Sequence, residues 1–286
     1  MKIYLNGEFV SESDAKVSVF DRGFLYGDGV FETMRAYGGV VFRINEHIKR
    51  LRRSLGMIRL DLSLPESSLY EAIYDTLSAN DLTEAVVRLS VSRGTGPIGL
   101  SMSLCGQPTL VIIAKPFTPY PQDYYDNGIR VVTTKIMRTP PDALNPMIKS
   151  LNFLNNIMAK AMADDAGAHE ALMLSANGHL AECSVSNIFF VKEDILYTPS
   201  VKSGILDGVM RAQVLELACE TGLGVVEGEF FPATLYRAHE VFVTNSTMEI
   251  MPVTTVDAVS YPVGHVTRRL MKAFFRYREQ YVKYRQ

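Results

Sequence analysis

Apolar residues in the first 120 positions follow two periods, and these predict a sheet accompanied by two helices. The opening segment alternates apolar and polar residues as a strand does. Two later segments repeat apolar residues at helical spacing, the first with Asn45 as a candidate cap and the second with Pro65 near its start. The apolar residues that share a face are Ile48, Leu51 and Leu55 in the first predicted helix and Leu69, Ile73 and Leu77 in the second. Two runs rich in β-branched residues, Val86–Val91 and Thr109–Ala114, are predicted to be strands.

The second half of the chain alternates between strand and helix patterns. Before it, the stretch KPFTPYPQDYYDNG is dense in Pro, Tyr and Asp, and we interpret residues 120–124 as a linker between domains at 1–119 and 125–286. Asn177-Gly178 separates two strand-like runs as a type I′ hairpin turn would. The predicted strands are Ile129–Ile136, Asn187–Val191 and Val241–Thr244, and the predicted helices are Leu151–Ala163, Val209–Thr221 and Gly264–Tyr281.

Composition narrows the class of protein. A chain of 286 residues with 47% apolar and 21% charged residues can bury the core of one large domain or two ordinary ones. A net charge of −2 gives no basic excess for binding nucleic acid. No apolar run approaches the roughly 18 residues of a membrane span, and MKIYLNGEFV has no signal-peptide core, so we expect a cytoplasmic protein. The 3 cysteines fit a reducing compartment and lack the spacing of zinc ligands.

Two motifs match known patterns without the context that gives those patterns meaning. Gly94, Gly96 and Gly99 form G-x-G-x-x-G after a strand, but Pro97 and the residues beyond it do not begin a helix that could hold a pyrophosphate. His239-Glu240 begins an H-E-x-x-H pattern, but no second histidine follows. We therefore predict neither a dinucleotide site nor a metal site.

The segment around Lys149 is more informative. Prolines stiffen the residues before it, and a predicted helix follows it, so this lysine has a defined position. A lysine at a helix start is usually a solvated cation. Here apolar neighbours, Met147, Ile148, Leu151 and Phe153, could desolvate the amine and make it available as a nucleophile at neutral pH.

These residues belong to a set of motifs that resembles the fold-type IV pyridoxal-phosphate enzymes, the class IV aminotransferase family. That family includes branched-chain and D-amino-acid aminotransferases and aminodeoxychorismate lyase. The resemblance covers nearly the whole chain, with the motifs in the family's order. They are YGDGVFETMRAY, EHIKRL, VRLSVSRG, KSLNFLNNIMAK, LAECSVSNIFF, SGILDGVMR and TNSTMEIMPV.

The resemblance implies pyridoxal 5′-phosphate (PLP) as cofactor and assigns its contacts. It makes Lys149 the lysine that bonds covalently to the cofactor and Glu182 the carboxylate that faces the pyridine nitrogen. A carboxylate there keeps the nitrogen protonated, so that the ring can accept electrons. The implied phosphate site consists of Arg50, the helix start Gly208, Val209 and Met210, and the hydroxyls of Ser246 and Thr247. Met210 replaces the threonine common in the transaminases, so one hydroxyl contact is missing.

The implied substrate pocket is closest to that of the branched-chain aminotransferases. Tyr26, Phe31, Arg35 and Arg88 stand where those enzymes have Tyr, Phe, Arg and Arg, whereas Thr33 replaces their usual glycine. The D-alanine-type enzymes bind the substrate carboxylate with a tyrosine and an Arg-x-His pair. This chain has Phe31 at the tyrosine position and Ile98 and Leu100 at the other two. Several motifs also resemble aminodeoxychorismate lyase.

The resemblance therefore implies transamination between an α-amino acid and a 2-oxo acid, with Arg88, or less well Arg35, binding the substrate carboxylate. The alternatives are a lyase forming 4-aminobenzoate and pyruvate from aminodeoxychorismate, and a D-amino-acid aminotransferase with a non-standard carboxylate site. A non-catalytic binder of the cofactor is a further alternative. The family also implies two α/β domains with the cofactor in the cleft between them, and a homodimer.

Overall fold

The computed structural model describes every residue from Met1 to Gln286, and the chain forms two compact units. Unit 1 consists of Met1–Thr118, Ile148–Asn152 and Tyr281–Gln286. Unit 2 consists of Pro119–Met147 and Phe153–Gln280. The predicted division into 1–119 and 125–286 follows a single boundary, whereas two short later segments of the chain belong to unit 1.

Unit 1 is a six-stranded antiparallel sheet with its helices. The strands run in the order β2-β1-β6-β5-β3-β4. Their bounds are β1 Lys2–Leu5, β2 Glu8–Ser11, β3 Gly29–Tyr37, β4 Val40–Val41, β5 Ala85–Ser92 and β6 Thr109–Pro116, and the helices are α1 Arg22–Tyr26, α2 Ile44–Met57 and α3 Glu66–Ser78.

The two long helices of unit 1 cover one face of the sheet. The apolar residues predicted to share a face, among them Ile48, Leu51, Leu69 and Ile73, are almost completely buried in one cluster with alternate residues of β3, β5 and β6. Because side chains alternate along a strand, the residues between these core positions point to the other face of the sheet. Four of them, on β3 or β5, are Phe31, Thr33, Arg35 and Arg88.

Unit 2 is a nine-stranded mixed sheet with helices. The strand order is β12-β11-β10-β13-β14-β7-β8-β9, and β15 pairs with β14. The elements are α4 Gln122–Asn127, β7 Ile129–Thr133, α5 Leu154–Asp165, β8 Glu170–Leu174, β9 Leu180–Cys183, β10 Asn187–Lys192, β11 Ile195–Pro199, a 3₁₀ turn at Val201–Ser203, α6 Val209–Glu220, β12 Gly224–Gly228, α7 Pro232–Leu235, β13 Glu240–Asn245, β14 Glu249–Val256, β15 Val259–Ser260 and α8 His265–Lys283.

The linker at 120–124 stays a prediction, and α4 begins within it, at Gln122. Two other local predictions are wrong in detail. Asn45 does not cap α2, because the helix begins at Ile44 and Arg43, at φ 50°, occupies the cap position. The turn at Asn177-Gly178 is not type I′, since only Gly178 has a positive φ, and the bonds of Ser175 with Gly178 and His179 describe a three-residue hairpin loop.

The helix after Lys149 begins later than predicted. Helix α5 starts at Leu154 rather than Leu151, because the residues before it pair with β3, where Ser150 forms an isolated antiparallel bridge with Val30. The Phe31 amide donates to the Lys149 carbonyl at 2.9 Å, and the Leu151 amide donates to the Gly29 carbonyl at 2.9 Å. These bonds hold Lys149 and Leu151 against β3, and the helix begins only after them.

The mixed α/β class predicted from the sequence is confirmed. None of the helices combines the length and the hydropathy of a membrane span.

Candidate active site

In unit 1, Lys149 is held from its backbone. Besides the bond from Phe31 to its carbonyl, the Lys149 amide donates to Ser54 Oγ at 3.3 Å. Gly29 permits this close approach, because a Cβ at that position would overlap the Val91 carbonyl oxygen and lie 2.7 Å from Leu151 Cδ1. The lysine therefore starts from a fixed point on the edge of β3.

The Lys149 side chain extends over an aromatic ring. Its Nζ lies 4.6 Å from the centroid of Phe31, which is itself almost fully buried. The face of an aromatic ring attracts an ammonium group and at the same time shields it from water. The ring therefore places the amine in the partly apolar surroundings that a nucleophilic lysine requires.

Arg88 contacts the same ring. Its Cζ lies 3.8 Å from the Phe31 centroid, and Arg88 stands directly opposite Thr33 in the pairing of β3 with β5. The guanidinium is exposed and makes no hydrogen bond or ion pair within the chain. Phe31, Thr33, Arg88 and the Lys149 amine therefore come together on one face of the sheet.

Arg35 is on that face but is engaged elsewhere. Its Nη1 donates to the carbonyls of Ala36 at 2.5 Å and Ala85 at 3.2 Å, and its Nη2 pairs with Glu84. The guanidinium also stacks on the rings of Tyr37 and Phe117. These contacts join the ends of β3 and β5, so Arg35 has a structural role that Arg88 does not have.

Tyr26 lies at the end of α1 and contacts the glycine-rich loop. Its hydroxyl accepts a hydrogen bond from the Gly99 amide at 3.0 Å. Gly94 is in the left-handed region, at φ 80°, and a Cβ there would overlap the Gln107 carbonyl oxygen. The loop thus turns back on itself without starting a helix, as predicted, and Tyr26 tethers it.

Arg50 belongs to a buried cluster around Glu32 that was not predicted. Its Nε and Nη2 donate to the two carboxylate oxygens of Glu32 at 2.7 and 2.6 Å, and His47 Nδ1 lies 2.7 Å from Glu32 Oε2. Burial alone would raise the pKa of Glu32, but Arg50 and His47 lower it to about 2. Burial lowers the pKa of His47, and the charges of Arg50 and Lys149 act in the same direction.

In unit 2, Glu182 is buried and surrounded by donors. Arg138 Nε donates to its Oε1 at 2.7 Å, while the Leu206 amide and Asn187 Nδ2 donate to its Oε2 at 3.0 and 3.2 Å. A guanidinium and two neutral donors favour the charged form of a carboxyl group. Arg138 and Asn187 were not predicted.

The start of helix α6 has no side-chain cap. Its cap residue is Gly208, and Val209 and Met210 form the first turn. A Cβ at Gly208 would overlap Asn187 Oδ1, so only glycine fits there. Uncapped first-turn amides and the helix dipole together favour an anion such as phosphate.

Ser246 and Thr247 occupy the turn between β13 and β14. Asn245 Oδ1 accepts from the amides of Thr247 and Met248, both at 2.9 Å, and lies 3.0 Å from Thr247 Oγ1. The Ser246 hydroxyl makes no hydrogen bond within the chain. Of the two hydroxyls, that of Ser246 is therefore the more available to a ligand.

A signal for the Glu32 cluster does exist in the sequence. Val30, Glu32, Met34 and Ala36 share the core face of β3, and a carboxylate on an otherwise apolar face requires a buried partner. Arg138 has no such signal, since it lies in an irregular segment where side-chain direction cannot be read from periodicity.

Comparison with known proteins identifies the family. The family model described as "Amino-transferase class IV" matches residues 29–256. The "Putative branched-chain-amino-acid aminotransferase" of Methanocaldococcus jannaschii is 46% identical over 277 residues, which cover 96% of this chain and 95% of that protein. The aminodeoxychorismate lyase of Bacillus subtilis is 36% identical (91% and 88% covered), and the D-alanine aminotransferase of Bacillus licheniformis is 35% identical (92% and 91% covered).

Solved structures agree with the sequence comparison. The branched-chain amino acid aminotransferase of Escherichia coli superposes with a TM-score of 0.92 at 33% identity, covering 96% of this chain and 93% of that one. The branched-chain aminotransferase of Thermoproteus uzoniensis with norvaline has a TM-score of 0.91 at 33% identity, with 96% and 94% covered. Another similar branched-chain aminotransferase, also with a TM-score of 0.91, was solved with pyridoxamine 5′-phosphate.

The fold and the matched motifs together define a fold-type IV enzyme. The chain belongs to the class IV aminotransferase family, which is a family of PLP-dependent enzymes. The resemblance inferred from the sequence is thereby confirmed, and so is the prediction that the protein is an enzyme.

Proposed function

We propose that this chain is a PLP-dependent aminotransferase that transfers an amino group from an α-amino acid to a 2-oxo acid, with a pocket of the branched-chain type. The observation that carries the proposal is the pair of cations on Phe31. The Lys149 amine and the unpartnered Arg88 guanidinium contact the same ring, at 4.6 and 3.8 Å from its centroid. An amine that acts at Cα and a cation that binds the α-carboxylate must lie this close together, because the two groups of an amino acid are on adjacent atoms.

Several residues fit the cofactor. Lys149 offers a positioned amine for its aldehyde, and Glu182 offers a carboxylate for its pyridine nitrogen. Gly208 leaves no room for a side chain at the uncapped start of α6, where a phosphate would accept from the amides of Val209 and Met210.

Three further residues are proposed as phosphate contacts, Arg50 in unit 1 and Ser246 and Thr247 in unit 2. The guanidinium of Arg50 is oriented by its two bonds to Glu32, and arginine is the side chain best suited to grip phosphate oxygens. Ser246 contributes its available hydroxyl. Thr247 contributes less, because Asn245 lies within hydrogen-bond distance of both its amide and its hydroxyl.

When bound, PLP supplies an electron sink for the electron pair left at the substrate Cα. The chain supplies positioning and proton transfer. Arg88 binds the substrate carboxylate and Phe31 forms the floor beside it. Lys149 Nζ would serve as the general base that takes the proton from the substrate Cα and as the general acid that returns it. With a 2-oxo acid as the acceptor, the same residues would act in the reverse order, as in a ping-pong cycle.

Branched-chain specificity is supported by the relatives and by the residues on the sheet face. Tyr26, Phe31, Thr33 and Arg88 match or lie close to the branched-chain pattern, and neither Ile98 nor Leu100 can replace the Arg-x-His pair of the D-alanine-type enzymes. A D-amino-acid aminotransferase with a non-standard carboxylate site is an alternative outcome of the substrate test.

Aminodeoxychorismate lyase activity is the second candidate. Thr33 favours it, since this hydroxyl stands opposite Arg88 where the branched-chain enzymes usually have glycine. The lyase would release pyruvate and 4-aminobenzoate and would not convert the cofactor to its amine form.

The test is a spectrum of the PLP-loaded protein before and after addition of single donors: L-leucine, D-alanine, D-glutamate and aminodeoxychorismate. Loss of the visible band with L-leucine and formation of the matching keto acid would support the proposal. Reaction with aminodeoxychorismate alone, with pyruvate formed, would replace it by the lyase. Loss of the band only with a D-amino acid would establish the D-specific alternative.

We also propose a cytoplasmic homodimer with domains at 1–119 and 125–286. Three free cysteines support a reducing compartment. Exposed apolar side chains support self-association, because such patches usually mark interfaces. In unit 1 they include Phe20, Phe24, Ile98 and Leu100, and in unit 2 Leu154, Ile157 and Met158. Sedimentation of the holoenzyme tests the dimer.

A further inference from the structure

Glu170, at the start of β8, is a buried carboxylate without a cationic partner. It accepts hydrogen bonds from the turn formed by residues 184–186. Its Oε1 accepts from the amide of Ser184 at 3.1 Å and from the Ser184 hydroxyl, and its Oε2 accepts from the Val185 amide at 3.2 Å and from Ser186 Oγ at 2.9 Å. The Ala171 amide adds a fifth bond at 2.9 Å. The carboxylate is only 1% exposed, so these donors replace its water.

The 184–186 turn, which Glu170 holds, connects several proposed cofactor contacts. Glu182 lies two residues before the turn, and Asn187, which donates to Glu182, follows it directly. On the other side, the Val185 carbonyl accepts from Asn245 Nδ2 at 3.2 Å. Asn245 in turn accepts from the Thr247 and Met248 amides.

We propose that Glu170 is a positioning residue for the cofactor, which holds the 184–186 turn so that Glu182 and the Ser246–Thr247 turn keep their places. This inference rests on the proposed function, because it assumes that Glu182 and Ser246–Thr247 bind PLP. Glu170 itself touches neither the cofactor nor the substrate. Its effect passes through the turn.

A carboxylate suits this position, because it can accept hydrogen bonds on both oxygens at once. Three backbone amides and two hydroxyls donate to Glu170, and at least one of the amides lies on each oxygen. The amide of glutamine would direct N–H groups at other donors and leave buried donors unsatisfied. Glu170→Gln therefore keeps the shape of the side chain and removes its ability to hold both sides of the turn.

Unit 2 contains a matched control. Glu240 is also buried, and it accepts from the Val266 amide at 3.1 Å and from the amide and hydroxyl of Thr267, both at 2.7 Å, at the start of α8. Glu240→Gln removes the same kind of carboxylate cap from a segment that has no proposed cofactor contact. Both variants should lower the melting temperature of the apoprotein.

The experiment titrates PLP into the wild-type protein and both variants and follows the visible band over pH. Glu170→Gln should weaken PLP binding about 10-fold, the lower end of what loss of a supporting partner does in metal sites. The pH at which its band titrates should also shift, because a displaced Glu182 no longer holds the ring proton as it does in the wild type. Glu240→Gln should change neither. Wild-type affinity and titration in Glu170→Gln, or equal changes in Glu240→Gln, would overturn the inference.

A milder pair covers the case in which Glu170→Gln does not fold. Ser186→Ala removes one bond to Glu170, and Thr267→Val removes one bond to Glu240. A smaller loss of PLP affinity is expected for Ser186→Ala and none for Thr267→Val, and equal behaviour of the two would overturn the inference.

Covalent capture of PLP on Lys149 in the wild type is measured first. Its absence would reject the proposed function, whereas its presence with unchanged variants would reject only the role of Glu170.

Discussion

The Arg88 guanidinium is exposed, has no hydrogen-bond partner in the chain and lies over the ring of Phe31. Arg88→Ala should therefore leave stability within about 0.5 kcal/mol of the wild type, as expected for a surface substitution. If the guanidinium binds the substrate carboxylate, the variant loses charge-assisted hydrogen bonds worth about 1.5–3 kcal/mol. That corresponds to a rise in KM for the amino acid of roughly 10- to 150-fold.

The assay measures the rate at which the visible band disappears against amino-acid concentration, together with thermal unfolding of the same samples. Arg88→Lys should fall between the wild type and Arg88→Ala, since lysine keeps the charge but not the bidentate fork. Lys115→Ala is the control, because Lys115 is an exposed cation on the adjacent strand β6 of the same sheet. An unchanged KM in folded Arg88→Ala, or an equal effect of Lys115→Ala, would refute the assignment.

Two further predictions concern the proposed phosphate site. Gly208→Ala should lower PLP affinity and melting temperature, because its Cβ would overlap Asn187 Oδ1, whereas Gly56→Ala in α2 has open space and should be neutral or slightly stabilising. Glu32→Gln breaks a buried ion pair with Arg50, which typically costs about 3–5 kcal/mol. Since the folded pKa of Glu32 is about 2 and its ordinary value is 4.5, its contribution is complete above pH 4.5 and is lost as the pH falls towards 2. The free energy of unfolding of Glu32→Gln should therefore depend less on pH in that window, and the same slope in both proteins would contradict this.

The local pattern of apolar residues was sufficient to predict the elements that bury one face in a core. Strands β5 and β6 and helices α2 and α3 followed from apolar spacing, because burial on one face imposes a period on the sequence. The start of α5 did not follow. Residues 148–152 bond to β3, which is more than 100 positions away, and no local period records such a pairing.

The candidate site also contains some residues that could be found from the sequence and others that could not. Lys149 and Glu182 were found through motifs, and a lysine or a glutamate alone would have been interpreted as a surface charge. Arg35 and Arg88 stand on the same face, and the sequence favoured Arg88 without excluding Arg35. The contacts of Arg35 with Glu84 and Ala85 show why Arg35 is engaged elsewhere. The partners of buried charges, such as Arg138 on Glu182, come from distant segments and are decided by tertiary packing.

The most direct test of the central claim is to load the protein with PLP, reduce it with borohydride and map the labelled peptide, in parallel with donor titrations of unreduced samples. We predict that the label lies on Lys149 alone, that Lys149→Ala shows no visible band with the properties of the wild type, and that a branched-chain amino acid abolishes the wild-type band while yielding its keto acid. A label on another lysine, or a Lys149-bound cofactor that no amino acid converts, would contradict the account.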